Sequence, residues 1–244
     1  MTRNRLDALM VKKGLTETRA KAQAIIMAGE VLADERVVTK PGTLVKEETS
    51  IRLLEKPLFV SRGGTKLAYA LDQFHLDVTS LVAVYLGGST GGFTDCLLKS
   101  GAKRVYAIDV GYGQLDYRLR KDPRVITMER VNARYPVSLP EKVDIATTDL
   151  SFISATKVIP NIAQLLKDQG RIIALVKPQF EAGREEVGKG GVIKDPLIHA
   201  RTLGRFISWA ADHNLRIGGL VASPILGASG NREFFILLML DTAR

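Results

Sequence analysis

Four charged residues, two lysines and two carboxylic acids, stand at the edges of apolar runs in this chain. Asp149 and Lys177 end the strand-like runs in TTDLSF and LVKPQF. Lys66 lies in RGGTKL, and Glu233 lies in NREFF. Side chains of these types transfer protons or stabilise developing charge in active sites. Taken singly, each could be an ordinary charge at the end of a strand, but together they predict a catalytic site.

A glycine-rich segment, YLGGSTGGFTD, predicts a ligand-binding turn between a strand and a helix. Glycine allows the backbone N–H groups to approach a ligand closely. The segment lacks the glycine spacing of the dinucleotide fingerprint, and Phe93 stands where a phosphate-binding loop carries its lysine. The remaining ligand class is an adenosine-type cofactor without phosphates, such as S-adenosylmethionine. The alternative is that the turn is purely structural. The glycines concerned are Gly87, Gly88, Gly91 and Gly92.

Further candidate cofactor contacts flank this turn. Asp109 ends the strand-like run RVYAID, where an acid can accept hydrogen bonds from the two hydroxyls of a ribose. The same acid serves nicotinamide dinucleotides, so it indicates a nucleoside rather than one cofactor. The other predicted cofactor contacts are Tyr85, Ser89, Thr90, Phe93 and Val110.

The elements that position these residues alternate along the chain from Leu81 onward. Strand-like runs such as LVAVYL, RVYAID, VDIATTD and RIIALV are separated by helical segments. This alternation predicts parallel strands joined by crossover helices. The last two runs, LRIGGLVASPI and REFFILLML, are joined by too short a connection for a crossover, so the final strand is expected to run antiparallel. An α/β, Rossmann-like sheet of this kind is typical of class I methyltransferases.

Residues 1–55 have a different pattern, a small α+β module. Two short helices are predicted, the second with Ala20, Ala24, Met27 and Ala28 on one face, followed by short strands. The stretch RLDALMVKKGLTETRAKAQAIIMAGEVLAD resembles the RNA-binding module named after the fourth protein of the small ribosomal subunit. That resemblance implies that basic side chains of the helices contact RNA phosphates; the alternative is a solvated helix pair. The candidates are Arg3, Arg5, Arg19 and Lys21.

The composition limits the classes of function. The 244 residues carry a net charge of +9, which favours polyanionic partners. The apolar runs are far shorter than the roughly 18 residues of a membrane span, and the charged N-terminus lacks a signal sequence, so we expect a cytoplasmic protein with no membrane partner. A single cysteine, Cys96, excludes an internal disulfide, and three scattered histidines give no metal-ligand spacing, so we expect no metal.

Nearly the whole chain resembles the TlyA family, two-domain ribosomal RNA ribose methyltransferases related to FtsJ and often labelled hemolysins. The matching stretches are SRGGTKL, GGSTGGFTD, IDVGYGQLDYRLR, ERVNAR, TDLSFIS, LVKPQFEAGRE and NREFFILL. The resemblance implies a donor, S-adenosylmethionine, and a ribose 2′-hydroxyl acceptor in ribosomal RNA, typically of cytidine. It also implies a catalytic tetrad of Lys66, Asp149, Lys177 and Glu233, and Arg62 is a further candidate RNA contact. The expected organisation is a module at 1–55, a linker and leading helix at 56–80, and a catalytic domain at 81–244. In the linker, FVSRGGTKLAYALDQFHL predicts a Gly-Gly turn that is followed by the helix.

Two questions stay open from the sequence. An ordinary lysine keeps its proton at neutral pH, so Lys177 could act as a base only if its surroundings favour deprotonation, and otherwise it stabilises the developing alkoxide. Tyr85 stands where the family commonly has an acid before the glycine turn, which puts recognition of the cofactor's amino group in question. The alternative functions are therefore a ribosomal RNA-binding protein without transferase activity and, with less support, a membrane-lytic hemolysin.

Overall fold

The computed structural model describes residues 3–54, 57–188 and 190–241. The chain forms two compact units, Met1–Pro57 and Leu58–Arg244. The segment 56–80, expected as a linker and leading helix, therefore belongs to the second unit from Leu58 onward.

The first unit consists of two short helices and two small antiparallel sheets. Leu6, Met10, Ala22 and Ile26 form its core together with Val31. Thr18 caps the second helix, because its hydroxyl accepts a hydrogen bond from the Lys21 N–H. The elements are β1 (Arg3–Arg5), α1 (Leu6–Lys12), α2 (Arg19–Met27), β2 (Val31–Ala33), β3 (Arg36–Val37), β4 (Leu44–Lys46) and β5 (Ile51–Leu53); β1 pairs with β4, and β2 pairs with β3 and β5.

The predicted buried face of α2 was wrong. The helix buries Ala22 and Ile26, whereas Met27 is 64% exposed. Alanines occur all around this helix and give only a weak apolar stripe, so the sequence does not distinguish the two faces well. Packing against α1 decides which face is covered.

The second unit is an α/β sandwich around a seven-stranded sheet. The strand order is β11-β12-β10-β9-β6-β7-β8. The elements are α3 (Arg62–Gln73), β6 (Val82–Leu86), α4 (Gly92–Lys99), β7 (Arg104–Ile108), α5 (Tyr117–Arg120), β8 (Val125–Met128), β9 (Val143–Thr148), α6 (Ile159–Ala163), β10 (Leu166–Val176), α7 (Pro178–Glu181), α8 (Pro196–Asp212), β11 (Leu215–Ala222) and β12 (Phe234–Leu240), with 3₁₀ turns at Ala155–Lys157 and Arg184–Glu186.

The sheet confirms the predicted topology. Strands β10, β9, β6, β7 and β8 pair in parallel, and β12 pairs antiparallel with both β10 and β11. Both faces of the sheet are covered, which is why β6 is buried at every position and reads as a continuous apolar run. Alternate residues of β6 enter different cores: Val84 and Leu86 pack on one face, and Tyr85 packs on the other.

The prediction of a Gly-Gly turn before the leading helix was wrong, because Gly63 and Gly64 lie within the first turn of α3. Close packing explains these glycines. A Cβ on Gly64 would lie 2.3 Å from the Phe59 side chain, and one on Gly63 would already be 3.4 Å from Phe93. The pair therefore allows α3 to pack closely against its surroundings, including α4.

Candidate active site

The strand register brings three of the four predicted catalytic residues to one edge of the sheet. Asp149 follows the last residue of β9, and Lys177 follows the last residue of β10. Because Val176 pairs with Phe234 at the start of β12, Lys177 and Glu233 lie at neighbouring positions of the ladder. This is the edge where the parallel strands end, which is the usual ligand-binding edge of open α/β sheets.

Lys177 and Asp149 form an ion pair that faces solvent in part. The Lys177 Nζ lies 2.7 Å from the Asp149 Oδ1, and the two side chains are 11% and 21% exposed. The same Nζ donates a hydrogen bond of 3.1 Å to the Ser151 hydroxyl and lies 5.9 Å from the centre of the Phe180 ring. The ammonium group thus has three neighbours, two in the loop after β9 and one in α7.

Lys66 and Glu233 form a second ion pair that is almost completely buried. The Lys66 Nζ lies 2.5 Å from the Glu233 Oε2, with side chains only 10% and 4% exposed. The pair joins helix α3 to the start of β12, and a Cβ on Gly227 would lie 2.4 Å from the Glu233 Oε1. Glycine at 227 therefore leaves room for this carboxylate.

A cavity of about 350 Å³ opens beside the first ion pair. Asp149 and Ser151 line it, and Lys177 lies beside the cavity, because its Nζ contacts both of these residues. Volumes of this size are typical of small-molecule sites. Most of the wall is apolar, with polar groups spread around it; the lining includes Leu86, Ile108, Asp109, Val131, Asn132, Leu150 and Ile153.

The glycine-rich turn shapes one side of this cavity. Gly87 has φ +97°, and a Cβ there would lie 2.2 Å from the Asp149 carbonyl oxygen, so only glycine fits. The Gly87 and Gly88 N–H groups both donate to the Ile108 carbonyl. The turn therefore uses these donors internally, contrary to the expectation that they face a ligand. A phosphate cradle needs such donors free, so the geometry favours a ligand without phosphates.

The rest of the turn leads into helix α4. Gly91 caps the helix in the left-handed region, at φ +93°, and its Cβ would collide with Leu115 and Leu119. Gly92 begins the helix, whereas Ser89 and Thr90 are exposed. Of these four predicted contacts, Ser89 lines the cavity.

Asp109 lies where the sequence places it, directly after β7. Its Oδ2 accepts a hydrogen bond from the Ser89 N–H (2.8 Å), and its Oδ1 accepts one from the Gly111 N–H (2.6 Å). A carboxylate offers about four acceptor sites, so it can also accept from a ligand. Asp109 lines the cavity together with Val110, which is 68% exposed.

Tyr85 and Phe93 lie in the apolar core between the sheet and its helices. The Tyr85 ring is 2% exposed and stacks on Phe93 with centroids 4.9 Å apart. Burial raises the pKa of the Tyr85 hydroxyl well above its usual value, and the charges of Asp149 and Asp109 raise it further. Tyr85 therefore stays protonated, and within the described residues neither ring lines the cavity.

Most of the cavity residues were not singled out from the sequence. Gln114, Asn132, Ser151 and Phe152 all line the cavity, and Phe152 is 91% exposed with φ +64°. They lie in loops that follow strands, where polar or glycine-rich composition hides individual roles. Gln114, Ser151 and Phe152 lie near the strand-end acids Asp109 and Asp149 in the sequence, and Asn132 lies in the stretch ERVNAR.

A partly buried glutamate, Glu181, connects the loop after Asp149 to the helix after Lys177. The Glu181 Oε1 accepts from the Ala155 N–H (2.7 Å), and its Oε2 accepts from the Ser154 hydroxyl (2.5 Å). Burial raises the pKa of Glu181 above its ordinary value, although the two hydrogen bonds oppose this. The contact fixes one wall of the cavity relative to α7.

The predicted RNA contacts differ in their surroundings. In the first unit Arg3 is exposed, Lys21 pairs with Glu17 at 2.5 Å, and Arg5 and Arg19 both bind Asp7. In the second unit Arg62 donates a hydrogen bond to the Leu226 carbonyl. All five are surface side chains within their own units.

Comparison with known proteins follows the division into two units. The FtsJ-like methyltransferase family matches residues 59–239, and the S4 domain family matches residues 4–51. The chain is 47% identical to the Bacillus subtilis protein YqxC over 97% of this chain and 85% of the relative. It is 42% identical to the Mycobacterium tuberculosis 16S/23S rRNA (cytidine-2′-O)-methyltransferase TlyA, over 99% of this chain and 92% of that one.

A solved structure of a hemolysin-labelled protein from Streptococcus thermophilus is also similar. The TM-score is 0.75 at 44% identity, covering 99% of this chain and 90% of that one. The described residues contain no helix that is long and apolar enough to span a membrane. The fold, the strand-edge site and these matches together assign the chain to the TlyA family, in which an FtsJ-like methyltransferase domain follows an S4 domain.

Proposed function

We propose that the protein transfers a methyl group from S-adenosylmethionine to a ribose 2′-hydroxyl of ribosomal RNA, at cytidine. The observation that carries the proposal is the partly open Lys177–Asp149 pair at the rim of a cavity whose wall also contains Asp109. This arrangement sets a charged lysine beside a nucleoside-sized site. The 42% identical TlyA relative is a 16S/23S rRNA (cytidine-2′-O)-methyltransferase, which supports the choice of RNA and of cytidine.

The cavity suits an adenosine-type ligand. Asp109 can accept hydrogen bonds from a ribose diol, and the apolar wall between Ile108 and Val131 can cover a purine ring. No donors of Gly87 and Gly88 are left for a phosphate, which fits a cofactor that has none. S-adenosylmethionine supplies an electrophilic methyl group when bound.

Lys177 is the residue that we assign to the acceptor hydroxyl. Methyl transfer to an alcohol is an in-line displacement, so the hydroxyl must be aligned and relieved of its proton as the bond forms. The contacts of Lys177 with Asp149 and Ser151 hold its Nζ at the cavity rim. The hydroxyl proton passes to solvent water as the new bond forms. An ammonium group in this position stabilises the negative charge that develops on the oxygen, and Asp149 keeps that ammonium oriented.

The buried Lys66–Glu233 pair has a supporting role in this scheme. Glu233 is next to Lys177 in the strand register, and Lys66 neutralises it at 2.5 Å. A neutralised Glu233 does not compete with Asp149 for the Lys177 ammonium. The pair also anchors α3, which keeps that end of the sheet covered.

RNA binding is assigned to the first unit and to the basic surface of the second. The S4 match covers residues 4–51, where Arg3, Arg5, Arg19 and Lys21 are exposed. Basic side chains that meet phosphates give salt-dependent affinity. Ribosomal RNA as the substrate would place the protein in the cytoplasm.

A transfer assay with radiolabelled S-adenosylmethionine and purified ribosomal RNA or ribosomal subunits tests the proposal. We expect label at one or a few ribose 2′-oxygens, identified by mass mapping of nuclease fragments. Label on a base, or none with any ribosomal substrate, would overturn it. Isothermal titration with the cofactor separates an inactive RNA-binding protein, which does not bind it, from an enzyme tested on the wrong RNA.

A membrane-lytic activity, which the hemolysin label suggests, is the other candidate from the sequence. The wild type and a Lys177→Ala variant can be compared directly, because the variant should lose methyl transfer. Leakage of dye from vesicles is the matching measurement. Leakage by both the wild type and the variant would indicate a lytic function separate from the proposed one.

A further inference from the structure

In the N-terminal unit the carboxylate of Asp7, at the start of α1, is fully buried. Its side chain is 0% exposed. The Arg5 guanidinium binds it through two hydrogen bonds, Nε to Oδ1 at 3.1 Å and Nη2 to Oδ2 at 2.9 Å. Arg19 Nε and Gln23 Nε2 donate to Oδ2 at 3.1 and 2.8 Å, and the Ala8 N–H donates to Oδ1 at 2.9 Å.

These contacts satisfy the acid completely. A carboxylate has about four lone-pair sites, and five donors converge on Asp7. The hydrogen bond from Arg5 is the main reason that the pKa of Asp7 lies well below its usual range, because burial alone would raise it. The group is therefore a charged, fixed anchor, although it is entirely covered by its partners.

The two arginines, in contrast, remain half exposed. The Arg5 side chain is 47% exposed and that of Arg19 is 53% exposed. A guanidinium has five N–H donors in a rigid plane, of which Arg5 uses two on Asp7 and Arg19 uses one. Arg5 is also confined on its other side, since a Cβ on Gly42 would lie 3.0 Å from its Nη1.

We propose that Asp7 is a positioning residue for RNA binding: it fixes two guanidinium groups side by side so that their remaining donors meet RNA phosphates in a defined orientation. The inference rests on the proposed RNA-binding role of the first unit. Fixing a flexible arginine before binding lowers the entropy lost when the contact forms. A free arginine pair would bind phosphate with the same charge but with a larger entropic cost.

The proposal makes a prediction opposite to that of simple electrostatics. Asp7→Asn removes one negative charge close to the two arginines, so charge alone predicts tighter RNA binding. Positioning predicts weaker binding, by about tenfold for each phosphate contact that is lost. The salt dependence of log K should also flatten by roughly 0.7 to 0.9 per lost contact.

The measurement is RNA affinity of the full chain over a range of salt concentrations, with a ribosomal RNA fragment as the probe. Glu17→Gln is the matched control, because it removes an exposed carboxylate that pairs with Lys21 in the same unit. We expect no loss of affinity for that control. S-adenosylmethionine affinity should be unchanged in Asp7→Asn, since Asp7 belongs to the other unit.

A mutant cycle separates positioning from a merely structural role. If Asp7 acts through its partners, Asp7→Asn should have no further effect on RNA affinity in an Arg5→Ala/Arg19→Ala background. An equal loss in that background, or tighter binding by Asp7→Asn alone, would overturn the proposal. Normal RNA affinity of the double-alanine protein itself would instead refute RNA binding by these arginines.

Arg5→Lys provides a second test that leaves Asp7 in place, in case Asp7→Asn does not fold. Lysine keeps the charge but lacks the planar fork that binds a carboxylate through two bonds. We expect Arg5→Lys to weaken RNA binding nearly as much as Arg5→Ala does. Affinity equal to that of the wild type would show that only the charge matters.

Discussion

The two lysine–carboxylate pairs at the carboxyl edge of the sheet have the same chemistry but different surroundings. Lys66 and Glu233 are sealed, at 10% and 4% side-chain exposure, and among the described residues Lys66 donates a hydrogen bond to Glu233 alone. Lys177 and Asp149 stand at a cavity, and Lys177 also contacts Ser151. A buried pair must keep both partners to avoid an uncompensated charge, whereas a pair at a cavity can exchange partners with a ligand. The comparison predicts that the first pair governs stability and the second governs reaction.

The largest expected effect is on catalysis at the open pair. Lys177→Ala should lower the rate of methyl transfer about 10²- to 10⁴-fold, the range for a lost proton-transfer or charge-stabilising group. S-adenosylmethionine affinity and melting temperature should change little, because the Asp149 side chain is already 21% exposed and loss of the lysine side chain opens it further to water. Single-turnover transfer and titration with the cofactor measure the two properties separately.

Lys167→Ala is the matched control for that variant. Lys167 forms a 2.7 Å ion pair with Asp144, and it lies near the other end of the same strand, β10. Each variant removes the lysine of a lysine–aspartate ion pair, but only the Lys177–Asp149 pair lies beside the cavity. Retention of more than about a tenth of the activity by Lys177→Ala would contradict the assignment.

The sealed pair should show the reverse behaviour. Lys66→Ala leaves the Glu233 carboxylate buried without its partner, which typically costs about 3–5 kcal/mol of folding free energy. Chemical denaturation measures this loss. Replacing both residues by methionine should recover much of the stability, because two apolar side chains leave no unpaired charge. A Lys66→Ala protein as stable as the wild type would break the comparison.

Tyr85 tests whether the position beside the glycine turn still serves the cofactor. Tyr85→Asp would bury a charge near Asp149 and Asp109 and remove the stack on Phe93. We therefore expect the free energy of unfolding to fall by roughly 3 kcal/mol or more. Tyr85→Phe, which keeps the ring, is the control. Its cofactor affinity and its melting temperature should both be close to those of the wild type. Tighter cofactor binding by Tyr85→Asp with an unchanged melting temperature would show instead that an acid here still faces the cofactor.

The smallest expected effect concerns the pH dependence of stability at Glu181. Its folded-state pKa is raised by burial, so the folded protein binds this proton more tightly than the unfolded chain does. Stability from this group is therefore present at low pH and falls as pH rises from the ordinary glutamate range through the raised pKa. Glu181→Gln should flatten that fall. Chemical denaturation of both proteins at several pH values measures this effect. A parallel loss of stability by the wild type and Glu181→Gln as pH rises would contradict the interpretation.

Much of the architecture could be predicted, because parallel strands covered on both faces read as short, continuous apolar runs. The antiparallel last strand followed from the brevity of the connection before it. The face of α2 and the Gly63-Gly64 pair were predicted wrongly. In both cases the outcome depends on which neighbour packs against the segment, and a local pattern contains no information about that neighbour.

The sequence by itself determined the strands, the glycine turn and the positions of Asp149 and Lys177 after two strands, because residue type and spacing fix local geometry. Only the tertiary structure decided which lysine pairs with which acid, since Lys66 and Glu233 are 167 residues apart in the chain. It also decided that Tyr85 packs into the core and that Gly87 and Gly88 direct their N–H groups to Ile108. These contacts arise between distant segments, where packing and burial, rather than local preference, select the partner.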